Sequence, residues 1–437
     1  MVTDCAARIG RRVDRLEVVF DDERVVANAG VLLAATLCDR LGVERLVDES
    51  VSLTDRSAGS RAGAKVLSLV HAMLLGADSI DDADVLRVGE TSRVVGHRVL
   101  APSTLGTFLR GFTFGHVRQL DHVLAESLRR AWQAGAGPGS GRLVIDVDSF
   151  VCEVHGDYKQ GAGYGYTHKL GYHPIVAVRA DTLETLHIRL RRGSANTQRG
   201  AVRFVDELAA RVRRAGATGE VLLRADSGFW SYKTIARLEH HNMRYSIGVT
   251  LQKHVRAVIS EIDEAVWQPL CDYPASGVAE IAETTLGERR LIVRRTRLVG
   301  KQATLWPDWR HHAFITDRTD ELALVEREHR QHAVVELAIR DHKDGALRHL
   351  PSGHYAANGA WCVIAALAAN IARWTQILGL GVLTPKALAT LRRRLLVVPG
   401  RIAHHGRRTR LRLAARWPWR EAWLACLTRL RALPRLA

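Results

Sequence analysis

Two apolar segments that end in acidic residues constrain the fold of this chain most strongly. Residues 143–150 read LVIDVDSF, and their alternating apolar side chains predict a strand that presents Asp146 and Asp148 at its carboxyl end. Residues 221–230 read VLLRADSGFW, a second apolar segment that ends at Asp226 and a Ser-Gly turn. We therefore predict a sheet that gathers carboxylates from distant parts of the chain at one edge.

A third acid, Glu336, lies in the sequence VVELAIRDHKDG, where apolar residues at helical spacing predict a helix. Mg²⁺ prefers oxygen ligands and is usually held by one or two carboxylates together with substrate phosphate oxygens. Two such ions, about 3.5–4 Å apart, activate the attacking oxygen and stabilise the leaving oxygen during phosphoryl transfer. Two strand-borne aspartates and a helix-borne glutamate thus predict a two-ion phosphoryl-transfer site.

Longer motifs around these acids resemble the DDE transposases of bacterial insertion sequences. The segment LVIDVDS is followed by VHG at residues 154–156 and by GYGYTHKLGYHPI, and the second acid lies in RADSGF. In the relatives, a Tyr and an Arg precede the glutamate and a Lys follows it. Glu336 and Lys343 keep that spacing here, whereas His329 and His332 replace the Tyr and the Arg. Within these transposases, the chain is most similar to the insertion sequence thirteen-eighty group, a relative of the insertion sequence four group.

This resemblance implies a multidomain α+β protein whose catalytic domain has a ribonuclease H-like mixed sheet flanked by helices. It implies that Asp146, Asp226 and Glu336 are the catalytic residues and hold two Mg²⁺ ions, with Mn²⁺ as a substitute. Asp148 is the alternate first ligand, because both aspartates emerge from the same strand. The implied partners are double-stranded DNA, as inverted repeats and target, and a second copy of the chain in a homodimeric synaptic complex.

Basic residues in two segments are the candidates for DNA binding. Residues 158–172 interleave Lys159 and Lys169 with glycines and tyrosines. This segment can line a groove for the DNA backbone, or form a β-hairpin whose aromatic side chains pack across strands. The candidates near the glutamate are Lys343, Arg330, His329 and His332.

Changes in composition divide the chain into three predicted regions. Residues 1–133 are predicted to be mainly helical after a short strand at 15–20, and to bind DNA or only to pack against the next region. Gly-rich residues 134–141 predict a linker, followed by a catalytic domain at 142–380 with a β-rich insertion at about 252–325. Arginine-dense residues 385–437 are predicted to contact the DNA backbone. In the insertion, Trp306 and Trp309 can stack on an unpaired base, but we favour core packing.

The overall composition agrees with a DNA-binding enzyme. The formal net charge of +17 favours a polyanionic partner, although basic proteins are common in high-GC bacteria. The six cysteines include no close pair, which fits a reducing cytoplasm. We expect no secretory signal, because charged residues interrupt the first residues, and no membrane span, because the apolar segment 360–371 is too short.

The predicted function is therefore metal-dependent cleavage and strand transfer at the terminal inverted repeats of an insertion sequence, in the bacterial cytoplasm and on its nucleoid. Two alternatives stay open. One is a ribonuclease H-like nuclease without strand transfer, and the other is an inactive DNA-binding relic.

Overall fold

The two predicted acid-bearing strands lie in the middle of a large sheet. A computed structural model describes residues 16–436 apart from 157, 166, 272, 274–276, 299–308 and 407. The strands are β1 (Val25–Val26), β2 (Leu143–Ser149), β3 (Cys152–Glu153), β4 (Gly163–Tyr164), β5 (Leu170–Tyr172), β6 (Ile175–Arg179), β7 (Thr185–Arg189), β8 (Val221–Ala225), β9 (Arg244–Val249), β10 (Gln268–Pro269), β11 (Gly277–Leu286), β12 (Arg289–Leu298), β13 (Arg310–Thr316), β14 (Gly400–His405) and β15 (Arg408–Leu413).

Helices cover both faces of the sheet and form most of the N-terminal region. They are α1 (Val31–Arg40), α2 (Val43–Ser50), α3 (Arg56–Gly59), α4 (Ala62–Leu75), α5 (Thr91–Val94), α6 (Pro102–Arg110), α7 (Phe114–Ala131), α8 (Ala201–Ala215), α9 (Tyr232–His240), α10 (Lys253–Ser260), α11 (Leu322–Arg330), α12 (Val335–Lys343), α13 (Tyr355–Trp374), α14 (Leu388–Leu391) and α15 (Arg420–Ala432). The chain is thus a mixed α+β protein, as predicted.

Within the described residues, the central sheet has the order β10-β11-β12-β13-β9-β8-β2-β6-β7. Strands β2, β6 and β7 form an antiparallel meander, and β8 and β9 run parallel to β2. The predicted β-rich insertion contains the expected strands, but they continue the central sheet, since β13 pairs antiparallel with β9. The insertion therefore widens the sheet beside the acid-bearing strands.

Helix α13 is the core helix of the protein. Its apolar residues are buried, and it packs against α4, α7 and β7. The helical stretch continues to Leu380, so it is longer than the apolar segment predicted from the sequence. By length and composition Tyr355–Leu380 is able to cross a membrane, but 83% of its most apolar window is buried inside the protein. It therefore serves as the core of this fold.

The N-terminal region is mainly helical, as predicted, but two local predictions were wrong. Residues 16–20 form no strand, and their apolar side chains are exposed; the first strand is β1. The predicted linker is partly structured, because Trp132–Ala136 continues α7 and the Trp132 indole donates a 3.0 Å hydrogen bond to Glu184 Oε1. A buried carboxylate next to β7 thus fixes the residues just before the linker.

The C-terminal region pairs with and packs against the N-terminal region. Strands β1, β14 and β15 form a small sheet, so the two ends of the described chain pair with each other. Helix α15 buries Trp423, Cys426, Leu427 and Leu430 and packs against α1. The predicted alternation of β15 is confirmed, with its arginines outward and Leu411 and Leu413 partly buried. The main apolar core includes residues as far apart in sequence as Val26 and Leu430.

Candidate active site

The carboxyl ends of β2 and β8 lie side by side because the strands are parallel neighbours. Their register pairs Asp146 with Arg224, and the pairing ends one residue later, at Ala225. The next residues along the two segments are Asp148 and Asp226. The register therefore places these two aspartates next to each other at the edge of the sheet.

Asp146 lies one step deeper in the protein, because residues two apart on a strand share a face. Its side chain is 0% exposed, and its two oxygens accept hydrogen bonds of 2.7 Å each from Arg224. Burial raises the pKa of Asp146, and the Arg224 guanidinium opposes that rise. Arg224 also donates to the backbone oxygen of Glu328 in α11. An internal ion pair thus occupies both oxygens of the predicted first ligand.

Asp148 has the electrostatic environment of a metal ligand. Burial, together with the neighbouring carboxylates of Asp226 and Glu336, raises its pKa to about 6. One oxygen accepts a 2.6 Å hydrogen bond from the backbone N–H of Ser149. Asp148 at the end of β2 therefore lies close to the acids at the end of β8 and in α12.

Asp226 and Glu336 are the exposed members of this group. The Asp226 carboxylate caps the short turn Ser227–Phe229 by accepting from the Gly228 N–H at 3.0 Å. Glu336 lies in the first turn of α12, whose buried face packs on β2. A cleft of about 540 Å³ is lined by both acids, so their carboxylates face an open space.

The two histidines that replace the relatives' Tyr and Arg have different surroundings. His329 stacks on Phe314, with ring centroids 3.9 Å apart, and its Nδ1 lies 2.8 Å from Ser246 Oγ. Burial lowers the pKa of His329 to about 3, so its ring is neutral rather than a titratable charge. His332 lies at the acid edge, with Nε2 3.2 Å from the backbone oxygen of Val147.

Of the predicted DNA-contacting residues, Arg330, His329 and His332 line the cleft and the three lysines do not. Arg330 lines the cleft and donates to Glu326 at 3.0 Å. Lys159 donates to the backbone oxygen of Leu350, and Lys169 pairs with Glu153 at 2.7 Å. Lys343 is exposed at the end of α12. The predicted hairpin is present, since β4 pairs antiparallel with β5, but Tyr158 and Tyr164 are exposed and do not pack across the strands.

Of Trp306 and Trp309 in the insertion, only Trp309 lies within the described residues. Trp306 lies outside the described residues. Trp309 packs against arginines, with the guanidinium carbons of Arg295 and Arg297 at 4.5 and 4.8 Å from its ring centroid. The favoured core packing of Trp309 was therefore wrong, because the ring is only partly buried and packs on arginine side chains.

Arg224 is the functional residue that sequence reasoning missed. The sequence signal for a role of Arg224 was its position inside an apolar strand, two residues before Asp226. A charged side chain within such a strand is almost never buried without a partner. The only acids on the adjoining strand are Asp146 and Asp148.

Comparisons with known proteins assign the chain to a family. The model of the family described as transposase DDE domain, group 1, matches residues 10–435. The chain belongs to this family. A solved structure of a piggyBac transposase synaptic complex with hairpin DNA is 12% identical to this DDE transposase family member, covering 85% of this chain and 80% of that chain with a TM-score of 0.46. No curated protein matches the sequence.

A DDE transposase domain depends on divalent metal, and a second acidic cluster has ligand atoms close enough to hold one. One ligand atom from each of the side chains of Asp121, His187 and Glu207 lies within 4.8 Å of the other two. Arginines already neutralise both carboxylates, since Arg211 pairs with Asp121 at 2.7 Å and Arg118 with Glu207 at 3.0 Å. The cluster joins α7, β7 and α8, so it fastens the N-terminal helices to the sheet.

Proposed function

We propose that this chain is a DNA transposase that binds the terminal inverted repeats of an insertion sequence and catalyses their cleavage and strand transfer. The observation that carries the proposal is the convergence of Asp148, Asp226 and Glu336 at the end of parallel strands. Metal-dependent cutting and joining of DNA uses carboxylates to hold the ions around one phosphodiester. The family match and the net charge of +17 support a DNA substrate.

The proposed metal ligands are Asp148, Asp226 and Glu336, with Asp148 in place of Asp146 as the first ligand. Three observations support this set: carboxylate oxygens suit Mg²⁺ or Mn²⁺, the acids raise the pKa of Asp148, and Arg224 occupies both oxygens of Asp146. A bound pair of ions would activate the attacking oxygen and stabilise the leaving one. The chain's own part is to orient these acids, and the Asp146–Arg224 pair fixes the register of the strands that present them.

The arrangement of five strands supports a ribonuclease H-like catalytic fold within the wider sheet. Strands β7, β6 and β2 form the meander, and β8 and β9 follow in parallel beyond β2. We further propose, with the insertion sequence thirteen-eighty resemblance, that two copies of the chain act together on the paired repeats. The region carrying β14 and β15 adds outward arginines for the DNA backbone.

An in vitro assay tests the function directly. The purified chain is incubated with labelled duplexes that carry the element's terminal repeats, with target plasmid and with Mg²⁺ or EDTA. Metal-dependent cleavage followed by joining supports the proposal. Cleavage without joining makes the protein a nuclease, and repeat binding alone makes it an inactive relic. The Asp226→Asn variant is the control, because it keeps the side-chain shape while removing the charge.

A further inference from the structure

The loop that joins β7 to α8 lies against the residues next to the catalytic acids. Thr197 Oγ1 is 3.5 Å from Ser149 Oγ, and a Cβ added at Gly228 would lie 3.0 Å from Thr197 Cβ. Gln198 Nε2 donates to the Trp230 backbone oxygen at 2.9 Å. Ser149 directly follows Asp148, so this loop borders the carboxylate edge.

A buried arginine fixes the path of the loop. Arg191 is 7% exposed, and its Nη1 donates to the backbone oxygens of Asn196, Thr197 and Arg199 at 3.2, 2.9 and 3.1 Å. Its Nε donates to the backbone oxygen of His173 at 2.8 Å. Bonds from a charged donor are about twice as strong as neutral ones, so residues 192–199 are held in an arc around the guanidinium.

A glycine anchors the other end of the loop to the small sheet formed by β3, β5 and β4. A Cβ at Gly193 would overlap the backbone oxygens of both Gly171 and Gly163. The Gly193 N–H donates to the Gly161 oxygen at 3.0 Å. Only glycine permits this approach of the two backbones. The loop is therefore fixed on both sides, at the catalytic edge and at the Tyr-rich hairpin.

The exposed side chains of the fixed loop all suit phosphate oxygens. Alternate residues point inward, and the exposed ones carry hydrogen-bond donors and no carboxylate. These exposed residues are Arg192, Ser194, Asn196, Gln198 and Arg199. Asp148 and Asp226 repel phosphate when no metal is bound, so cations beside them offset that repulsion as a DNA strand approaches.

We propose that residues 192–199 form a phosphate-binding strip that positions the DNA strand leading to the catalytic carboxylates, with Arg192 and Arg199 as its charged contacts. Arg191 is a positioning residue, because it acts only through the loop backbone. This inference rests on the proposed function, since it names the surface by which the same site holds its DNA. A solvated surface loop, by contrast, needs neither a buried guanidinium nor a glycine anchor.

The test compares two double variants that remove the same charge. Arg192→Gln/Arg199→Gln removes the strip's cations. The matched control, Arg45→Gln/Arg214→Gln, removes exposed arginines from α2 and from the far end of α8. Anisotropy of a labelled terminal-repeat duplex is measured in EDTA between about 50 and 200 mM salt. The strip variant is expected to lower the log–log slope by roughly 1.8, which is two phosphates at 0.9 each, and the control to leave it unchanged.

Cleavage at saturating DNA separates this inference from the proposed function. The strip variant should require more DNA to reach its maximal rate and should still cleave, whereas Asp226→Asn should abolish cleavage and keep the slope. If the native protein cleaves but the strip variant has the control's slope, the strip is refuted and the function stands. If the native protein neither binds nor cleaves the duplex, both are refuted.

Discussion

Asparagine substitutions at Asp146 and Asp148 should have opposite effects, because one carboxylate lies in an ion pair and the other is a proposed metal ligand. Asp146→Asn removes one partner of a fully buried pair and leaves the Arg224 charge without its counter-ion. Breaking such a pair costs about 3–5 kcal/mol. We expect the lower end, about 3 kcal/mol, because asparagine still offers one oxygen to the guanidinium.

Asp148→Asn should instead stabilise the metal-free protein. The pKa of Asp148 is raised to about 6 in the folded protein by burial and by two neighbouring acids. At pH 7 its charged form is therefore disfavoured in the folded state relative to the unfolded one. A change of one pKa unit corresponds to about 1.4 kcal/mol of unfolding free energy. Solvent screening reduces the expected gain in stability to about 1–2 kcal/mol in total. Protonation of Asp148 should itself add stability as pH falls from about 7 to about 5, so the difference in unfolding free energy between Asp148→Asn and the native protein in EDTA should shrink over that range.

Urea unfolding in EDTA measures both effects, and electron paramagnetic resonance measures how many Mn²⁺ ions each variant binds. Asp146→Asn should bind Mn²⁺ with native affinity wherever it is folded, whereas Asp148→Asn should bind at least one ion fewer. Arg45→Gln is the control for breaking an ion pair, because its pair with Glu49 is exposed and contributes less than about 1 kcal/mol. Native stability of Asp146→Asn combined with an absence of Mn²⁺ binding would refute the assignment of Asp148.

Three further outcomes follow from features outside the acids. Replacing the outward arginines of β15 by glutamine should lower the salt slope of DNA binding by roughly 0.9 for each phosphate that is no longer neutralised, and an unchanged slope would mean that they only solvate the sheet. Gly193→Ala should destabilise the protein by about 1–3 kcal/mol in urea unfolding, because its methyl group meets two backbone oxygens, whereas Gly353→Ala, with open space around it, should be neutral. Burial lowers the pKa of His329 to about 3, so below about pH 6.5 this histidine is protonated in the unfolded chain but not in the folded protein. Its contribution to the free energy of unfolding should therefore fall as pH drops below about 6.5, and the loss should be smaller in His329→Asn.

The sequence alone predicted the strands and helices that carry the acids, because alternation and helical spacing are local signals. It did not separate Asp146 from Asp148, since both follow the same apolar segment and the difference depends on Arg224 across a parallel strand pair. Pairing between segments far apart in sequence also explains the other differences. Residues 16–20 have the alternation of a strand but pair with no strand, and Glu184 fixes Trp132, just before the Gly-rich linker.

The packing of the last helix on the first has a consequence for how the protein is made. Helix α15 covers α1, Leu436 donates to the Arg40 oxygen at 2.8 Å, and the nearby pair Arg435 and Asp39 is 396 residues apart in sequence. Ribosomes add about 5–20 residues per second, so roughly 20–80 s pass between the synthesis of these partners. During that interval α1 can pack against α2 and α4, but the part of its surface that contacts α15 has no permanent cover. A chain truncated before α15 would leave this part of α1 exposed.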